Sequence, residues 1–541
     1  MSASSLSERA MDTSQSILIV GAGPTGLTLA ATLVRYGVTA RIIDRAVEPP
    51  QDRSRAIVLQ ARTLEIFRDL EIDAQVLQRG LLVDAITLLL PNGKRASVRI
   101  KPEWIPSRFN RFLALPQDET EHALLELITS QGVVVERGVA LEGLETSSVS
   151  PVALLRHADG TLERFAASWI VGADGAHSGV RHAAGIPFPG ETYADEALLG
   201  DVDMDWHIPD GEVTVAPGTD GFLLAFPLPG EHRFRVIMIH PAQGAPEARA
   251  LSLEEFTQSL AGMMPRSAEA RAPRVLHARW LTRYRLHRRG VPTYRSGRAF
   301  VAGDAAHIHS PVGAQGMNTG IQDSYNLGWK LAMVVRGEAH ASILDTYHAE
   351  RHPVGQLLLT RTDQAFGILA GGGRRGRALR RVLPALGVRL LTIPFLARRL
   401  ALFVSQTRIR YAHSSLAREG PGAKTLPASA PRAGDRLPDV VLETGERLHD
   451  LVQGPSFCVL CVGGASLPAV QLLAREIEEE YAEMIRVLYL PRAGPLLDFA
   501  GVAGGVYLVR PDKHIGFRTT AADATSMISA LATWLCPRRG G

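Results

Sequence analysis

The chain has 541 residues, of which 46% are hydrophobic and 21% are charged, so we expect folded domains with large buried cores. Its 59 basic and 55 acidic residues leave a formal charge of only +4, and no basic tract is interleaved with aromatics, which excludes nucleic acid as the expected partner. Three cysteines are too few for a secreted disulfide scaffold. The chain starts with a polar stretch rather than a secretory signal and has no long uninterrupted apolar run, so we predict a cytoplasmic protein without stable membrane insertion.

The chain opens with a pattern typical of a parallel sheet. An apolar strand over residues 16–20, a helix over residues 25–36 and a strand over residues 39–44 predict a βαβ unit. Further strands are predicted at residues 85–90, 133–137, 169–173, 213–216, 222–227 and 234–240. The dense strand signal between residues 195 and 240 predicts an antiparallel sheet inserted into the parallel one.

The second half of the chain changes character twice. Residues 342–415 are predicted to be mostly helical, and residues 418–438, rich in Pro, Ala, Gly and Ser, are predicted to be a linker or surface connection. The remainder is predicted to form a small α/β domain. Its predicted elements are a strand at 457–462, a helix at 467–481, strands at 485–490 and 505–509, a turn at 511–512 and a helix at 522–535.

A glycine-rich turn lies between the first strand and the first helix. Gly21, Gly23 and Gly26 form a pattern that lets the backbone turn tightly and approach a pyrophosphate, which the unpaired N–H groups of a helix start favour. Asp44, at the end of the second strand, is placed to accept hydrogen bonds from a ribose. The alternative is a glycine-rich turn without a ligand. A second copy of the pattern at residues 371–376 lacks this context and is interpreted as a surface loop.

Two later motifs narrow the choice of nucleotide. Asp174 follows an apolar strand and precedes Gly175, and Asp304 follows another apolar strand and comes directly after Gly303. A strand-end aspartate beside a glycine turn suits the hydroxyls of a polyol. The second motif continues through residues 311–318 into a predicted helix, whose first N–H groups suit a polarised ring edge.

These motifs make residues 16 to about 415 resemble the single-component, FAD-dependent aromatic hydroxylases of the para-hydroxybenzoate hydroxylase type. Within that family the chain is similar to phenol, hydroxyphenylpropionate and polyketide hydroxylases, and residues 435–541 resemble their C-terminal thioredoxin-like domain. The resemblance implies an α/β fold. We therefore expect a Rossmann-like FAD-binding domain (residues 1–80, 106–185 and 290–415), an inserted antiparallel substrate-binding domain (81–105 and 186–289) and a thioredoxin-like domain (435–541).

The resemblance also implies roles for individual residues. Arg55 is expected beside the pyrophosphate and the moving flavin, and Pro311 beside the isoalloxazine, so these two are the expected catalytic positions. The residues expected to bind FAD are Gly21, Gly23, Pro24, Gly26, Asp44, Arg45, Arg55, Gln117, Asp174, Asp304, Gly313, Gln315, Gly316, Met317 and Asn318. For Arg55 the alternative is an ordinary surface arginine.

The activity that the resemblance implies is hydroxylation of an aromatic, phenolic or polyketide-type small molecule. It would use non-covalent FAD, oxygen, and NADPH or NADH bound transiently, since no second nucleotide fingerprint has the required context. One alternative is a flavoenzyme of the same fold that performs epoxidation, Baeyer–Villiger insertion or oxidative inactivation of an antibiotic. An alternative of another class is a non-catalytic, flavin-binding interaction protein.

The remaining polar and aromatic candidates each have a simpler interpretation. The predicted pocket walls are Phe222, Phe226, Pro227, Phe234 and Arg235, and the alternative is ordinary sheet core. His307 and His309 resemble metal ligands, but no third ligand lies at suitable spacing, so we predict structural histidines and no metal.

The C-terminal segment contains a Cys-x-x-Cys pair, Cys458 and Cys461. A redox pair sits at a helix N-terminus, which lowers the thiol pKa. Here both cysteines fall inside the predicted strand at 457–462, where residues three apart face opposite ways. We therefore predict inert thiols and assign the tail to packing or to formation of a homodimer.

Overall fold

The computed structural model describes residues 17–49, 56–90, 92–145, 150–206, 208–209, 211–218, 221–241, 250–264, 273–310, 313–370, 393–463, 467–490, 505–520 and 524–537. Helices and strands are numbered in chain order. The helices are α1 Pro24–Arg35, α2 Ala61–Asp69, α3 Asp73–Arg79, α4 Gln117–Ser130, α5 Gly179–Ala183, α6 Leu253–Met263, α7 Gly316–Val335, α8 Asp345–Ala370, α9 Pro394–Val404, α10 Leu448–Leu451, α11 Leu467–Tyr481 and α12 Ala524–Leu531. Within these described ranges, every helix is too short or too polar to cross a bilayer.

A largely parallel, six-stranded sheet carries the glycine turn. Its strands in spatial order are β18 Arg295–Ser296, β19 Ala299–Val301, β12 Trp169–Gly172, β1 Ile17–Val20, β2 Arg41–Asp44 and β8 Val135–Arg137. Strand β1 pairs in parallel with β12 and β2, which confirms the predicted βαβ unit. Every residue of β1 is buried, because one face packs with α1 and the other with a small sheet.

Two small antiparallel sheets flank this centre. One covers the second face of the six-stranded sheet and consists of β9 Ala140–Glu145, β10 Val152–Arg156 and β11 Leu162–Ala166. The other orders its strands as β3 Val58–Leu59, β7 Phe112–Ala114 and β4 Leu81–Val83.

An eight-stranded sheet forms the second layer of the fold. Its strands in spatial order are β20 His307–Ile308, β17 Arg274–Gly290, β13 Gly190–Asp205, β16 Arg233–Pro241, β15 Phe222–Pro227, β14 Glu212–Pro217, β5 Ala85–Leu89 and β6 Arg95–Arg99. All neighbours pair antiparallel except β14 and β5. One face joins the main core around the six-stranded sheet, and α6 covers the other face. The predicted antiparallel sheet is confirmed.

The C-terminal segment folds around a five-stranded sheet. The strands in spatial order are β21 Arg418–Glu419, β25 Ile515–Thr519, β24 Gly505–Val509, β22 Phe457–Val462 and β23 Ile485–Leu490. The parallel unit β22–α11–β23 is followed by the antiparallel hairpin β24–β25 and by α12, the arrangement expected of a thioredoxin-like domain.

Two predictions about the connections are wrong in part. Residues 405–415 are not helical, because α9 ends at Val404 and Gln406 has a left-handed backbone (φ 58°). The predicted linker at 418–438 begins as strand β21 of the C-terminal sheet, and its second half, from Ala430 to Leu437, is mostly buried. Small and proline residues in this stretch allow close packing rather than a flexible connection. Residues 371–392 lie outside the described part of the chain.

Candidate functional site

The three glycines between β1 and α1 occupy three different environments. Gly21 has φ +103°, and a Cβ there would lie 2.4 Å from the carbonyl oxygen of Ala173. A Cβ on Gly26 would lie 1.9 Å from the carbonyl oxygen of Gly21, so both positions require glycine for packing. Gly23 differs, because a Cβ there would have no atom within 4 Å. The absence of a side chain at Gly23 therefore keeps space open rather than relieving a contact.

The start of α1 is suited to an anion. Gly23 is its N-cap, Pro24 occupies the first turn, no side chain caps the helix and no acidic residue lies in the first turn. The first N–H groups of a helix have no partner within the helix, and the helix dipole favours negative charge there. The turn can therefore hold a phosphate group at the open space beside Gly23.

Asp44 closes the turn at the end of β2. Its Oδ2 accepts a 2.7 Å hydrogen bond from the N–H of Ala22, and its Oδ1 accepts one of 2.8 Å from the N–H of Ala46. Each carboxylate oxygen can accept a second bond, so Asp44 is both fixed to the glycine turn and able to bind a hydroxyl. The neighbouring Arg45 is exposed.

Asp174 lies directly against the same turn. A Cβ on Gly21 would lie 2.9 Å from the Cα of Asp174. The Oδ2 of Asp174 accepts a 3.1 Å bond from the N–H of Val180, whereas its buried Oδ1 has no hydrogen-bond partner within the described residues. Burial raises the pKa of this carboxyl group. A buried acceptor without a partner is costly, which indicates a site for a ligand hydroxyl.

The Gly303–Asp304 turn packs against the start of α1 from the other side. Gly303 has φ +60°, and a Cβ there would lie 2.5 Å from the Oγ1 of Thr25. A Cβ on Gly320 of α7 would lie equally close to that oxygen, and Ser324 donates a 2.7 Å bond to the Thr25 carbonyl. Asp304 is exposed beside this junction. The structure thus brings the motifs at residues 21–26, 174, 303–304 and 316–320 together.

Asp323, whose role the sequence did not reveal, holds the Asp304 turn in place. Its Oδ2 accepts bonds from the N–H of Gly303 (3.2 Å) and from His307 (2.8 Å), and its Oδ1 accepts one of 2.7 Å from Arg351. All these groups are buried, which assigns His307 a structural role. Its place in the Gly320-Ile-Gln-Asp323 sequence, which continues the second motif, was the only sequence feature that could have indicated a role for Asp323.

The start of α7 offers a second set of N–H donors. No side chain caps this helix, and its first turn, which includes Gly316 and Met317, contains no acidic residue. The preceding Gly313 has φ +85°, and Gln315 is buried at the N-cap. These backbone N–H groups can bind an electronegative ring edge.

The side chain of Asn318 has a structural role rather than a role in binding a ligand. Its Nδ2 donates to the carbonyls of Val58 (2.7 Å) and Ala314 (3.0 Å). Its Oδ1 accepts from the N–H of Gln60 (2.9 Å) and the hydroxyl of Thr63 (2.6 Å). Because an amide side chain makes at most four such bonds, Asn318 has no capacity left for a ligand. Its side chain fixes the start of α2 against the start of α7. For a ligand, Asn318 has only its backbone N–H available.

His309 lies beside the start of α7. Its Nδ1 bonds to the carbonyl of Ser310 at 2.7 Å, and its buried Nε2 would be 3.4 Å from a Cβ on Gly316. Burial lowers the pKa of His309 to about 4, so the ring is neutral at pH 7. Among the described residues, no group of three His, Cys, Asp or Glu side chains is arranged to hold a metal ion.

Gln117, the first residue of α4, contacts Ala56, which directly follows the predicted catalytic residue Arg55. Its Oε1 accepts a 3.4 Å bond from the N–H of Ala56, and its Nε2 donates to Glu121 at 2.8 Å. Burial raises the pKa of Glu121 to about 7. The predicted catalytic residues Arg55 and Pro311 lie outside the described residues.

The five predicted pocket residues divide between the two faces of the eight-stranded sheet. Phe222 and Phe226 belong to the core on the side of the six-stranded sheet, and Arg235 pairs with Phe226 across β15 and β16. Pro227 pairs with Phe234, which packs on Trp206 on the opposite face, beneath α6. Since alternate residues of a strand face opposite ways, Pro227 and Phe234 lie on the α6 side of the sheet, away from Phe222, Phe226 and Arg235. That these residues form pocket walls stays a prediction.

Arg235 links the eight-stranded sheet to the part of the chain that leads into α2. Its Nε and Nη2 each donate to Asp201 at 2.6 Å, and its Nη1 donates to the carbonyl of Ala56 at 2.8 Å. Only 1% of its surface is exposed. We call the side of the eight-stranded sheet that carries Phe222, Phe226 and Arg235 its front face. Arg235 therefore holds this front face against the segment beside Gln117.

Comparison with known proteins agrees with this geometry. Residues 14–362 match the family described as FAD binding domain, and residues 430–537 match the family described as aromatic-ring hydroxylase, C-terminal. The chain belongs to the FAD-dependent aromatic-ring hydroxylases. The open space at Gly23, the unsatisfied oxygen of Asp174 and the uncapped starts of α1 and α7 all fit FAD.

Relatives of this hydroxylase catalyse flavin-dependent oxygenation. The chain is 33% identical to pentachlorophenol 4-monooxygenase of Sphingobium chlorophenolicum over 96% of both chains. It is 39% identical to rifampicin monooxygenase of Streptomyces venezuelae over 64% of this chain and 70% of the relative. Its fold matches OxyS anhydrotetracycline hydroxylase from Streptomyces rimosus with a TM-score of 0.74 at 26% identity, over 96% of this chain and 98% of that structure. The hydroxylase is a flavin-dependent monooxygenase.

Proposed function

We propose that this hydroxylase inserts one oxygen atom from O₂ into an aromatic, phenolic or polyketide-type small molecule, with NADPH or NADH as the reductant. The convergence of the Asp44, Asp174 and Asp304 turns on the glycine turn supports this proposal most directly. The relatives named for pentachlorophenol and anhydrotetracycline support the substrate class.

The residues of the glycine turn are proposed to hold the FAD pyrophosphate at the open space beside Gly23. Asp44, with Arg45 and Gln117 nearby, would hold the adenosine end, and Asp174 and Asp304 would bind ribityl hydroxyls. FAD held by these residues would supply the redox chemistry, in which a hydride comes from the nicotinamide, one oxygen atom of O₂ goes to the substrate and the other leaves as water. The segment from Gly313 to Asn318 would present backbone N–H groups to the ring edge, with Pro311 alongside. The residues of this segment are Gly313, Ala314, Gln315, Gly316, Met317 and Asn318.

Arg55 is proposed to donate hydrogen bonds to the pyrophosphate or to the nicotinamide donor during reduction. A guanidinium offers several directed N–H donors to phosphate oxygens, which a lysine cannot match.

The front face of the eight-stranded sheet is the proposed substrate wall. Phe222 and Phe226 supply aromatic surface, and the ring of Phe366 on α8 packs edge-on against that of Phe222, with 6.4 Å between the ring centres. We assign substrate binding to residues 81–105 and 186–289, whose strands build this face. A dry, apolar wall keeps water from the reacting atoms, so that oxygen reaches the substrate rather than being lost to solvent.

Replacing Asp304 tests the cofactor site. We expect Asp304→Ala to purify with much less FAD, because it removes an acceptor for cofactor hydroxyls at the junction with α1. The loss of a charge-assisted bond corresponds to roughly 10- to 100-fold weaker binding. The measurement is flavin absorbance per polypeptide, followed by titration of the apoprotein with FAD. Asp159→Ala, in an exposed hairpin turn, is the matched control. Wild-type FAD affinity in Asp304→Ala would disprove the assignment.

The reaction itself is tested by rapid mixing of the yellow protein with NADPH or NADH. Phenols and polyketides are added as a panel, and products are identified by mass spectrometry. A substrate that accelerates NAD(P)H oxidation and gains a hydroxyl group supports the proposal. An epoxide, a ring-expanded ester or an inactivated antibiotic would favour the alternative flavoenzyme, for which the rifampicin relative is the supporting observation. Absence of NAD(P)H oxidation with every compound would favour the non-catalytic alternative.

A further inference from the structure

The hairpin between β24 and β25 ends in a turn that is buried in the rest of the protein. We define the 510–514 tip as Arg510, Pro511, Asp512, Lys513 and His514. The exposed fractions of Arg510, Asp512, Lys513 and His514 are 1%, 2%, 2% and 3%. Hairpin tips usually lie in solvent, and a buried charged side chain is unfavourable unless a partner compensates it. The residues that contact this tip therefore indicate its role in the structure.

Arg510 connects the tip to α8 and α7. Its Nη1 and Nη2 donate to Glu350 of α8 at 2.6 and 2.9 Å. Glu350 also accepts bonds of 2.7 Å from Lys330 and Asn326, both on α7. All these side chains are buried. Arg510 is thus a second cation on Glu350 beside Lys330, and unseating the tip would remove two charge-assisted bonds from that carboxylate.

The other side of the tip holds α2. Arg62 of α2 donates a 2.7 Å bond to the carbonyl of Asp512, and Lys513 forms an ion pair with Asp69 at the end of α2. Tyr325 of α7 donates to the same carboxylate at 3.0 Å. Lys513 has a left-handed backbone with φ 60°, a conformation that is strained for a residue other than glycine. A lysine thus occupies this position although its backbone conformation is strained.

The helices that the tip joins are those that meet at the candidate FAD site. The side chain of Asn318 links the starts of α2 and α7, and the tip links their more distant parts through Asp69, Tyr325 and Lys330. Helix α2 is therefore held against α7 at both of its own ends. A shift of α2 relative to α7 would strain the Asn318 bonds and displace the first N–H groups of α7.

We propose that the 510–514 tip is a positioning element for the FAD site, through which the C-terminal domain sets the spacing of α2 and α7 and so the affinity for the flavin. This inference rests on the FAD site proposed above. Adhesion alone would be served as well by apolar residues, since a buried ion pair gains little over a hydrophobic contact of the same shape. Directed ion pairs to α8 and α2, together with the Tyr325 hydroxyl of α7 on Asp69, instead fix the relative orientation of the helices.

The test compares Lys513→Met, which removes the charge but keeps most of the side-chain volume, with wild type. We expect FAD to dissociate about tenfold more readily from Lys513→Met, the size of an ordinary coupling between sites. The reduction potential of the bound flavin should shift with it. The double variant Asp69→Lys with Lys513→Asp restores an ion pair of reversed sign and should recover most of the affinity. All measurements use the full chain, well below its melting temperature.

The control is Val470→Ala, which truncates a buried residue of α11 away from the tip. It should lower the melting temperature without changing the FAD dissociation constant or the potential. Wild-type affinity and potential in Lys513→Met, or equal losses in Val470→Ala and Lys513→Met, would overturn the inference. If Lys513→Met does not fold, the double variant decides the question. The inference is also overturned if the double variant folds but binds FAD weakly and Val470→Ala binds FAD equally weakly. Failure of the wild-type chain to bind FAD would instead refute the proposed site.

Discussion

Single residues of the glycine turn serve different physical ends although the sequence shows three equivalent letters. Gly21 and Gly26 are required by the protein itself, because a Cβ at either position would overlap a backbone carbonyl. Gly23 has ordinary extended backbone angles (φ −79°, ψ −175°) and open space around it, so its conformation does not require glycine. The pattern predicted all three positions from the sequence. Only the structure separates the packing glycines from the one that leaves room for a ligand.

We predict opposite outcomes for Gly23→Ala and Gly26→Ala. Gly23→Ala should fold with a change in unfolding free energy below about 1 kcal/mol, since alanine fits the backbone there, yet it should bind FAD weakly because the methyl group fills the phosphate space. Gly26→Ala should fail to give folded protein. Thermal unfolding and FAD titration of both variants measure this. Full FAD affinity in Gly23→Ala would contradict it.

Elements with one-sided or continuous apolar patterns were predictable, and elements held by charge were not. The bounds of β15 and β22 agree with the sequence because their residues are almost all apolar. Strand β17, from Arg274 to Gly290, escaped prediction since it is rich in arginine. Those charges are matched by acidic residues of other elements: Arg279 meets Asp203 of β13, and Arg288 meets Asp363 of α8. Partners so distant in sequence leave no local pattern.

Strand β22 leads to a prediction about thiol chemistry. Cys458 and Cys461 lie in cores on opposite faces of the strand, and burial raises their pKa values to about 12 and about 11. Both are therefore protonated and inert at pH 8. We expect iodoacetamide to label Cys536 alone in the native protein, as peptide mass spectrometry would show. Cys458→Ala and Cys461→Ala should turn over at the wild-type rate, and activity that dithiothreitol restores would contradict this.

The contact of α2 with α7 gives a prediction about stability. Asn318→Ala leaves the buried N–H of Gln60 and the carbonyl of Val58 without a partner, at a cost of roughly 2–5 kcal/mol in unfolding free energy. Urea unfolding measures this cost. Asn92→Ala, which removes one exposed turn bond, is the control and should change stability by less than about 0.5 kcal/mol. A small effect of Asn318→Ala would show that the two helices do not depend on this side chain.

At the scale of the whole molecule, buried ions join segments that lie hundreds of residues apart. Glu65 of α2 accepts a 2.6 Å bond from Ser107, forms a 3.0 Å ion pair with Arg62 and lies 3.6 Å from Arg436. The sequence assigned Arg436 to a linker, because nothing local reveals a partner 371 positions away (436 − 65). The resemblance and the hydrophobic patterns together predicted the layers of the fold and the turns of the FAD site. The ionic contacts between layers depend on the folded structure and had to be observed.

This buried network makes acid stability the final prediction. Burial would raise the pKa of Glu65, but the nearby Arg436, His449 and Arg62 outweigh it and lower the pKa to about 2 from the ordinary 4.5. A depressed carboxylate pKa contributes stability above pH 4.5 that is lost as the pH falls toward 2, on the order of 3 kcal/mol in all and roughly half of it by pH 3.5. Glu65→Gln should therefore be less stable than wild type at pH 7, and the difference should narrow between pH 5 and 3.5. Urea unfolding at a series of pH values measures it, with Glu142→Gln, an exposed partner of Arg156, as the control whose difference from wild type stays small throughout. A gap between wild type and Glu65→Gln that is constant down to pH 3.5 would mean that Glu65 is not held as a buried carboxylate by the cations around it.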